Sequence, residues 1–272
     1  MVAASASAAS SVPDDMVLVH RGTLPIILTA PHGGRLAVPG VPIRNVKDPA
    51  LIAASKKWGG VHDTSDFNTD VLATRIAAGI EKLTGHAPYL VVAKFKRKFI
   101  DANRPAELAY AGPAAAPYYD LYHHTIREFI DEIRQTYPAG LLLDIHGESK
   151  DASMLMRGTS NGQTVTLLVR RAGAESITGH EGLFGQLEAQ GFKVFPPNNL
   201  PVGQGTENGG YNGGYTTRTY GSQNADGIDA VQLEFGMNYR KKDQVDRSAD
   251  EAARAIVAFY KAYLEHAASN QR

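Results

Sequence analysis

The chain of 272 residues contains no cysteine, a single tryptophan and no net charge. Each absence removes a class of explanation. Without cysteine there is no disulfide framework and no thiolate nucleophile, so any bound metal must be held by histidine, aspartate or glutamate. No apolar run approaches the roughly 20 residues of a membrane-spanning helix. Lysine and arginine number 28 against 28 aspartates and glutamates, so no one-signed surface for nucleic acid or an anionic membrane is expected. The opening "MVAASASAASSVPDD" has neither a basic n-region nor an apolar h-region and reads as a flexible tail over 1–16 or as what is left of a trimmed leader. The compartment stays open between cytoplasmic and secreted with the leader absent, because many secreted bacterial enzymes also lack cysteine.

What is present is 43% hydrophobic residues, enough for one large core, arranged as alternating strands and helices. "LPIILTA" (24–30), "YLVVAKF" (89–95), "GLLLDIH" (140–146), "TVTLLVRR" (164–171) and "AVQLEFG" (230–236) read as strands. The near-continuous apolar run of 140–146 marks a strand buried on both faces. "TDVLATRIAAGIEKLTG" (69–85) carries Val71, Leu72, Ile76 and Ile80 at helical spacing and closes on Gly85. Residues 119–138 form an amphipathic helix stopped by Pro138, and 246–268 a C-terminal helix with Asp246 or Ser248 available as N-cap. Alternation of this kind predicts a three-layer α/β/α domain around a mixed, mostly parallel sheet, spanning 17–272 without a linker. The irregular stretch 198–227, rich in glycine, asparagine and tyrosine, is too long for a passive connection and reads as an ordered substrate loop.

Chemistry gathers at the carboxyl ends of strands in such sheets. "LTAPHGG" delivers His32, "LLLDIHG" delivers His146, and "VQLEFG" carries Glu234. One histidine after a strand is an ordinary loop residue. Two, each followed by a glycine that lets the backbone approach a bound group closely, point to a catalytic zinc site of three protein ligands and an open position. The third ligand is left open by the residues alone among Asp63, Asp66, Asp70, Asp144 and Glu148. Asp144 points the same way along its strand as His146 and would either orient that ligand or cap a neighbouring loop. In "KRKFIDANRP" (96–105), proline holds Arg104 extended, which suits a guanidinium set to clamp a carboxylate. His20, His86, His180 and His266 read as surface residues, while His62, His123 and His124 lie where one of them could face the site.

Taken in order, "APHGG", "SDFNTDVLA", "RKFIDANRP", "LLLDIHG", "YNGGYTTRTYG" and "AVQLEFG" make the chain resemble the N-formylglutamate amidohydrolase family, zinc amidohydrolases related in fold to the zinc carboxypeptidases. The resemblance runs over about 24–265. It implies one zinc ion per chain held by His32, Asp66 and His146, with iron, cobalt or manganese as other metals that such a ligand set accepts. It implies Glu234 as general base, preferred over Glu148, and Arg97 as the group that polarises the scissile carbonyl. It implies Asn103 and Arg104 as the grip on a substrate carboxylate, with Arg218 and Tyr215 of the "GGYTTRTYG" loop completing the substrate site. The expected partner is a small carboxylate-bearing substrate whose amide bond is cleaved, and residues 17–272 would then form a single metallohydrolase domain. A carboxypeptidase-like enzyme acting on peptides or polyglutamate, and a non-catalytic binder of an acidic metabolite, are the alternatives. The chain departs from the family where serine commonly follows the second histidine, here Gly147, and where arginine commonly stands three residues after the base, here Met237 with Arg240 beyond it. These departures bear on the substrate more than on the chemistry.

Overall fold

A computed structural model describes residues 15–200, 202–203, 206–207, 209–265 and 267. The expected tail lies outside the described residues over 1–14, as do His266 and the last residues assigned to the C-terminal helix. Seven strands form one sheet: β1 (Val17–His20), β2 (Ile26–Ala30), β3 (Tyr89–Ala93), β4 (Leu141–Gly147), β5 (Met154–Gly158), β6 (Lys193–Phe195) and β7 (Asp229–Phe235), in the order β1-β3-β2-β4-β7-β5-β6. The pairs β2–β3, β2–β4, β4–β7 and β5–β6 are parallel, and β1–β3 and β5–β7 antiparallel. The sheet is therefore mixed and mostly parallel.

Helices Thr69–Thr84, Leu183–Ala189 and Val245–Tyr263 cover one face, and Ala116–Thr136 and Tyr215–Tyr220 the other, giving the three layers. Strand alternation decides which side chains meet which layer. Leu141, Leu143 and Ile145 of β4, with Val231, Leu233 and Phe235 of β7, belong to the core under Thr69–Thr84 and Val245–Tyr263. Leu142 and Ala230 belong to the core under Ala116–Thr136. Asp144, His146, Gln232 and Glu234 share this second face by parity, and all four are buried. Parallel pairing sets His146 beside Glu234 and Asp144 beside Gln232.

Several sequence expectations are corrected. Residues 164–171 are not a strand. They form a 3-10 turn, Gln163–Val165, running into helix Thr166–Ala172. The Thr164 hydroxyl bonds the Ala230 carbonyl at 2.6 Å and the Leu168 N–H bonds Asp229 Oδ1 at 3.0 Å. A β-branched segment is thereby laid across the sheet as a cap, tertiary bonding overriding propensity. The strand of this region is β5, ten residues earlier, which ends in a turn whose Ser160, Asn161 and Gly162 all have positive φ. The short strands β1 and β6 carried no readable alternation. Helix Val245–Tyr263 begins at Gln244 with no side-chain cap, so neither Asp246 nor Ser248 serves as one. The stretch 198–227 is not wholly irregular, since Tyr215–Tyr220 is a helix.

Candidate metal centre

Three side chains from different segments converge at the carboxyl end of the sheet. His32 stands two residues beyond the end of β2. Its glycines leave no room for side chains: a β-carbon on Gly33 would overlap Thr69 and Asp70, and one on Gly34 the backbone of Lys94 and Phe95. The histidine loop is thus pressed against the start of helix Thr69–Thr84. That contact brings Asp66 in, because the Asp66 N–H donates to the His32 carbonyl at 3.0 Å and Asn68 turns the chain into the helix at φ 60°. His146 stands near the end of β4.

His32 Nδ1 lies 3.4 Å and His146 Nδ1 3.3 Å from the same oxygen, Asp66 Oδ2, and the three potential ligand atoms all lie within 4.8 Å of one another. Each imidazole is held from behind through Nε2 by a fully buried carboxylate, Asp101 at 2.7 Å for His32 and Asp144 at 2.8 Å for His146. Nε2–H therefore donates outward to the carboxylate, and Nδ1 of each ring keeps its lone pair toward the centre. Buried His32 Nδ1 has no hydrogen-bond partner. Two imidazole lone pairs facing one carboxylate repel unless a cation stands among them, so the donor set fits a divalent metal with carboxylate-backed histidines. Burial opposes ionisation of Asp66, yet the closeness of His146 and His32 and the nearby Arg97 hold its carboxyl well below the usual range.

The other carboxylates weighed as ligands are engaged elsewhere. Asp63 is exposed, Asp70 pairs with Lys94 Nζ at 3.2 Å, Asp144 stands behind His146, and Glu148 caps the N–H of Lys150 at 2.9 Å and that of Asp151. Glu234 faces the cleft, and its Oε1 accepts from Gln232 Nε2 at 2.8 Å. Burial, reinforced by Asp66 and Asp144 against His146 and Arg97, pushes the Glu234 carboxyl up to about 7.

The cleft around these groups has a volume of about 380 Å³ and is lined also by Arg97, Asn103, Arg104, Trp58, Lys150 and Tyr211. Arg97 is tied by Nε to Asp101 Oδ2 at 2.9 Å and lies 3.8 Å from Asp66. Asn103 Oδ1 is occupied by the Thr216 N–H at 2.8 Å, which turns the amide NH₂ to within 3.3 Å of His146 Nε2. That nitrogen already donates to Asp144, so the NH₂ stays available to a ligand. Arg104 gives Nη1 to the Asn103 carbonyl and Nη2 to that of Gly60, each at 2.7 Å, and its buried Nε has no partner. Arg218 and Tyr215 do not line the cleft. They stand behind Trp58, the guanidinium 5.9 Å from its ring centre and the tyrosine ring edge-on at 5.3 Å. His62 reaches the cleft but is outside the ligand set. His123 bonds Tyr220 and the Ala102 carbonyl instead, and exposed His124 pairs with Glu128.

Sequence reasoning missed Asp101, Gln232, Trp58 and the buried Arg240. Arg240 Nε donates to the Phe235 carbonyl at 2.8 Å, Nη2 to that of Glu148 at 2.9 Å, and Nη1 to that of Phe67. One guanidinium thereby ties the three segments that bear Glu234, His146 and Asp66. Asp101 had a signal, the "IDANRP" turn that also carries Asn103 and Arg104. Arg240 had none, because two of its three partners, the carbonyls of Glu148 and Phe67, are distant in sequence.

The sequence model of the N-formylglutamate amidohydrolase family matches residues 109–239. No curated protein matches the chain in sequence. Among solved structures, an N-formylglutamate amidohydrolase from Ralstonia eutropha JMP134 is similar at a TM-score of 0.58 and 16% identity, covering 90% of this chain and 97% of its own. A gene product from Agrobacterium tumefaciens is similar at a TM-score of 0.53 and 13% identity, covering 91% and 96%. At such identities the structures speak for the fold alone, while the family match speaks through sequence. Over residues 109–239 the chain thus matches the N-formylglutamate amidohydrolase family in sequence, in agreement with the ordered motifs.

Proposed function

We propose that the chain is a zinc-dependent amidohydrolase that cleaves the amide bond of a small N-acyl amino acid. The observation that carries this reading is the convergence of His32 Nδ1, His146 Nδ1 and the Asp66 carboxylate within 4.8 Å, with Glu234 in the adjacent register position on β7. His32, Asp66 and His146 would hold the ion, which when bound supplies a water of lowered pKa and a Lewis acid.

The chain's own groups supply the rest. Glu234, buried at the cleft wall, takes the proton of the attacking water and returns it to the leaving nitrogen. A raised carboxyl pKa suits that exchange, because the group then gains and releases a proton near neutrality. Arg97, pinned by Asp101, presents positive charge where the carbonyl oxygen becomes an oxyanion. The Asn103 NH₂ and the Arg104 guanidinium bind the substrate carboxylate. Arg218 and Tyr215 support the Trp58 wall from behind.

Metal analysis joined to a panel of N-formyl and N-acetyl amino acids tests the reading. About one zinc per chain and release of free amino acid are expected. Glu234→Gln should keep the metal and lose about 10²- to 10⁴-fold in kcat. Undiminished hydrolysis by metal-free protein would sink the proposal.

A further inference from the structure

Gln232 lies on β7 two residues before Glu234, on the same face of the strand, 3% exposed and lining the cleft. Its orientation is set by its neighbour. The 2.8 Å contact with Glu234 Oε1 is made by the amide nitrogen Nε2, the donor that Glu234 in its proton-accepting form requires. The carbonyl oxygen Oε1 is thereby turned away from Glu234. It is buried and has no hydrogen-bond partner, an acceptor whose desolvation goes uncompensated within the protein. Gly158 faces Gln232 across the β5–β7 pair, close enough that a β-carbon on that glycine would stand 3.0 Å from Gln232 Cβ.

An unpaired acceptor at a cleft wall, fixed by the group proposed as general base, calls for an N–H or O–H of the ligand. An amide substrate brings one N–H that must come within reach of Glu234, that of the scissile bond, since its nitrogen leaves with the proton Glu234 returns. The same carboxamide that touches Glu234 through Nε2 thus offers Oε1 to the neighbouring atom of the reacting unit. We infer that Gln232 is a substrate-contacting residue whose Oε1 accepts the scissile N–H, aligning the leaving nitrogen with Glu234 and selecting amides over esters. The inference rests on the amidohydrolase reading. It assigns Gln232 two separable tasks: positioning Glu234 through Nε2 and reading the substrate through Oε1.

The two tasks predict different losses. Loss of positioning slows every substrate alike, whereas loss of the contact slows only substrates with an N–H to give. The test compares the best substrate of the N-formyl and N-acetyl amino acid panel with its isologue, an O-acyl 2-hydroxy acid in which ester oxygen replaces N–H. Both are assayed with the metal-loaded parent enzyme, with Gln232→Met and with Gln232→Leu, the second variant guarding against misfolding of the first. If the isologue is bound but not cleaved, its inhibition constant enters the ratio instead. The amide-to-ester ratio of kcat/KM should fall about 10- to 100-fold in the variants, the range expected when a buried partner of an N–H is removed. An unchanged ratio, with both rates falling together, overturns the inference and leaves Gln232 a positioning residue only. Failure of the parent enzyme to cleave any amide of the panel overturns the amidohydrolase reading, and this inference with it.

Discussion

The guanidinium of Arg240 lies against Gly147: a β-carbon on that glycine would stand 2.6 Å from Arg240 Nη1. The two departures from the family pattern are therefore one feature. The glycine after the second histidine makes the space that the late arginine fills. Gly147→Ser in the parent chain should expel the guanidinium from its three carbonyls and cost about 2–4 kcal/mol, as should Arg240→Ala. In the Arg240→Ala background Gly147→Ser should cost far less, a coupling of about 1–3 kcal/mol. Urea denaturation of the four proteins of this cycle measures it, and additive losses would refute the relationship.

The Asp101 carboxylate joins three groups of the site's frame. It accepts from His32, Arg97 and the Asn103 N–H, at 2.7, 2.9 and 3.1 Å. Although burial opposes its ionisation, Arg97 and His32 hold it well below the usual carboxylate range. Asp101→Asn keeps the shape and removes the charge that orients His32. Zinc affinity, read by competition with a chelator, should weaken about 10- to 100-fold. Asp144→Asn, acting on His146, should do the same, and unchanged affinity in both would show that the backing carboxylates do not serve a metal.

Glu207 fastens the stretch 198–227 to the end of β5. Its carboxylate accepts from the N–H groups of Thr159 and Asn161, each at 2.9 Å, and from Arg157 Nε at 3.3 Å. Arg157 is fully buried beside the Phe184 ring. Glu207→Ala would leave that guanidinium without a counter-charge, and a loss of about 3–5 kcal/mol is expected. Glu207→Gln, which keeps one acceptor, should lose less. Thermal unfolding of both variants decides, and equal stability to the parent would contradict the assignment.

His123 supplies a pH dependence. Burial, against the hydrogen bond to the Ala102 carbonyl, pushes its imidazole down to about 4, whereas in the unfolded chain it titrates near 6.5. Between these values the unfolded state binds more protons, so this residue's contribution is complete above about 6.5 and is lost as pH falls toward 4. The slope approaches about 1.4 kcal/mol per pH unit. His123→Gln should be less stable than the parent at pH 7, and the gap should narrow steadily down to pH 4.5. A gap independent of pH would mean that folding does not shift the titration of His123.

How much of this was legible in advance follows from the range of each interaction. The helix ending at Gly85, the buried strand before His146 and the strand bearing Glu234 are written locally, in period and punctuation. The run 164–171 was misread because its partners, Ala230 and Asp229, lie some sixty residues away. The His–Gly ends marked the candidate metal centre because a ligand at a strand end needs backbone freedom beside it, whereas Asp66 was singled out by the family resemblance alone. The carboxylate behind His32 was only half legible, its turn marked but its partner not. Asp101 reaches His32 across 69 positions, and nothing in "IDANRP" says which way its aspartate turns.

Which residue types could hold a metal was already written along the chain, since cysteine is absent, as was which strand faces are apolar, since alternation is a local code. So was the fact that Asp144 and His146, and Gln232 and Glu234, project in pairs from single strands, because side chains two apart share a face. That β4 and β7 are neighbours in register, which turns two pairs into one wall, emerges in the folded chain and not before. Folding also turns Asp66, among five acidic candidates, toward both histidines, and sets Arg240 in the place Gly147 leaves. Convergence of this kind depends on hydrogen bonds between distant segments, whose partners are fixed by packing and not by spacing along the chain.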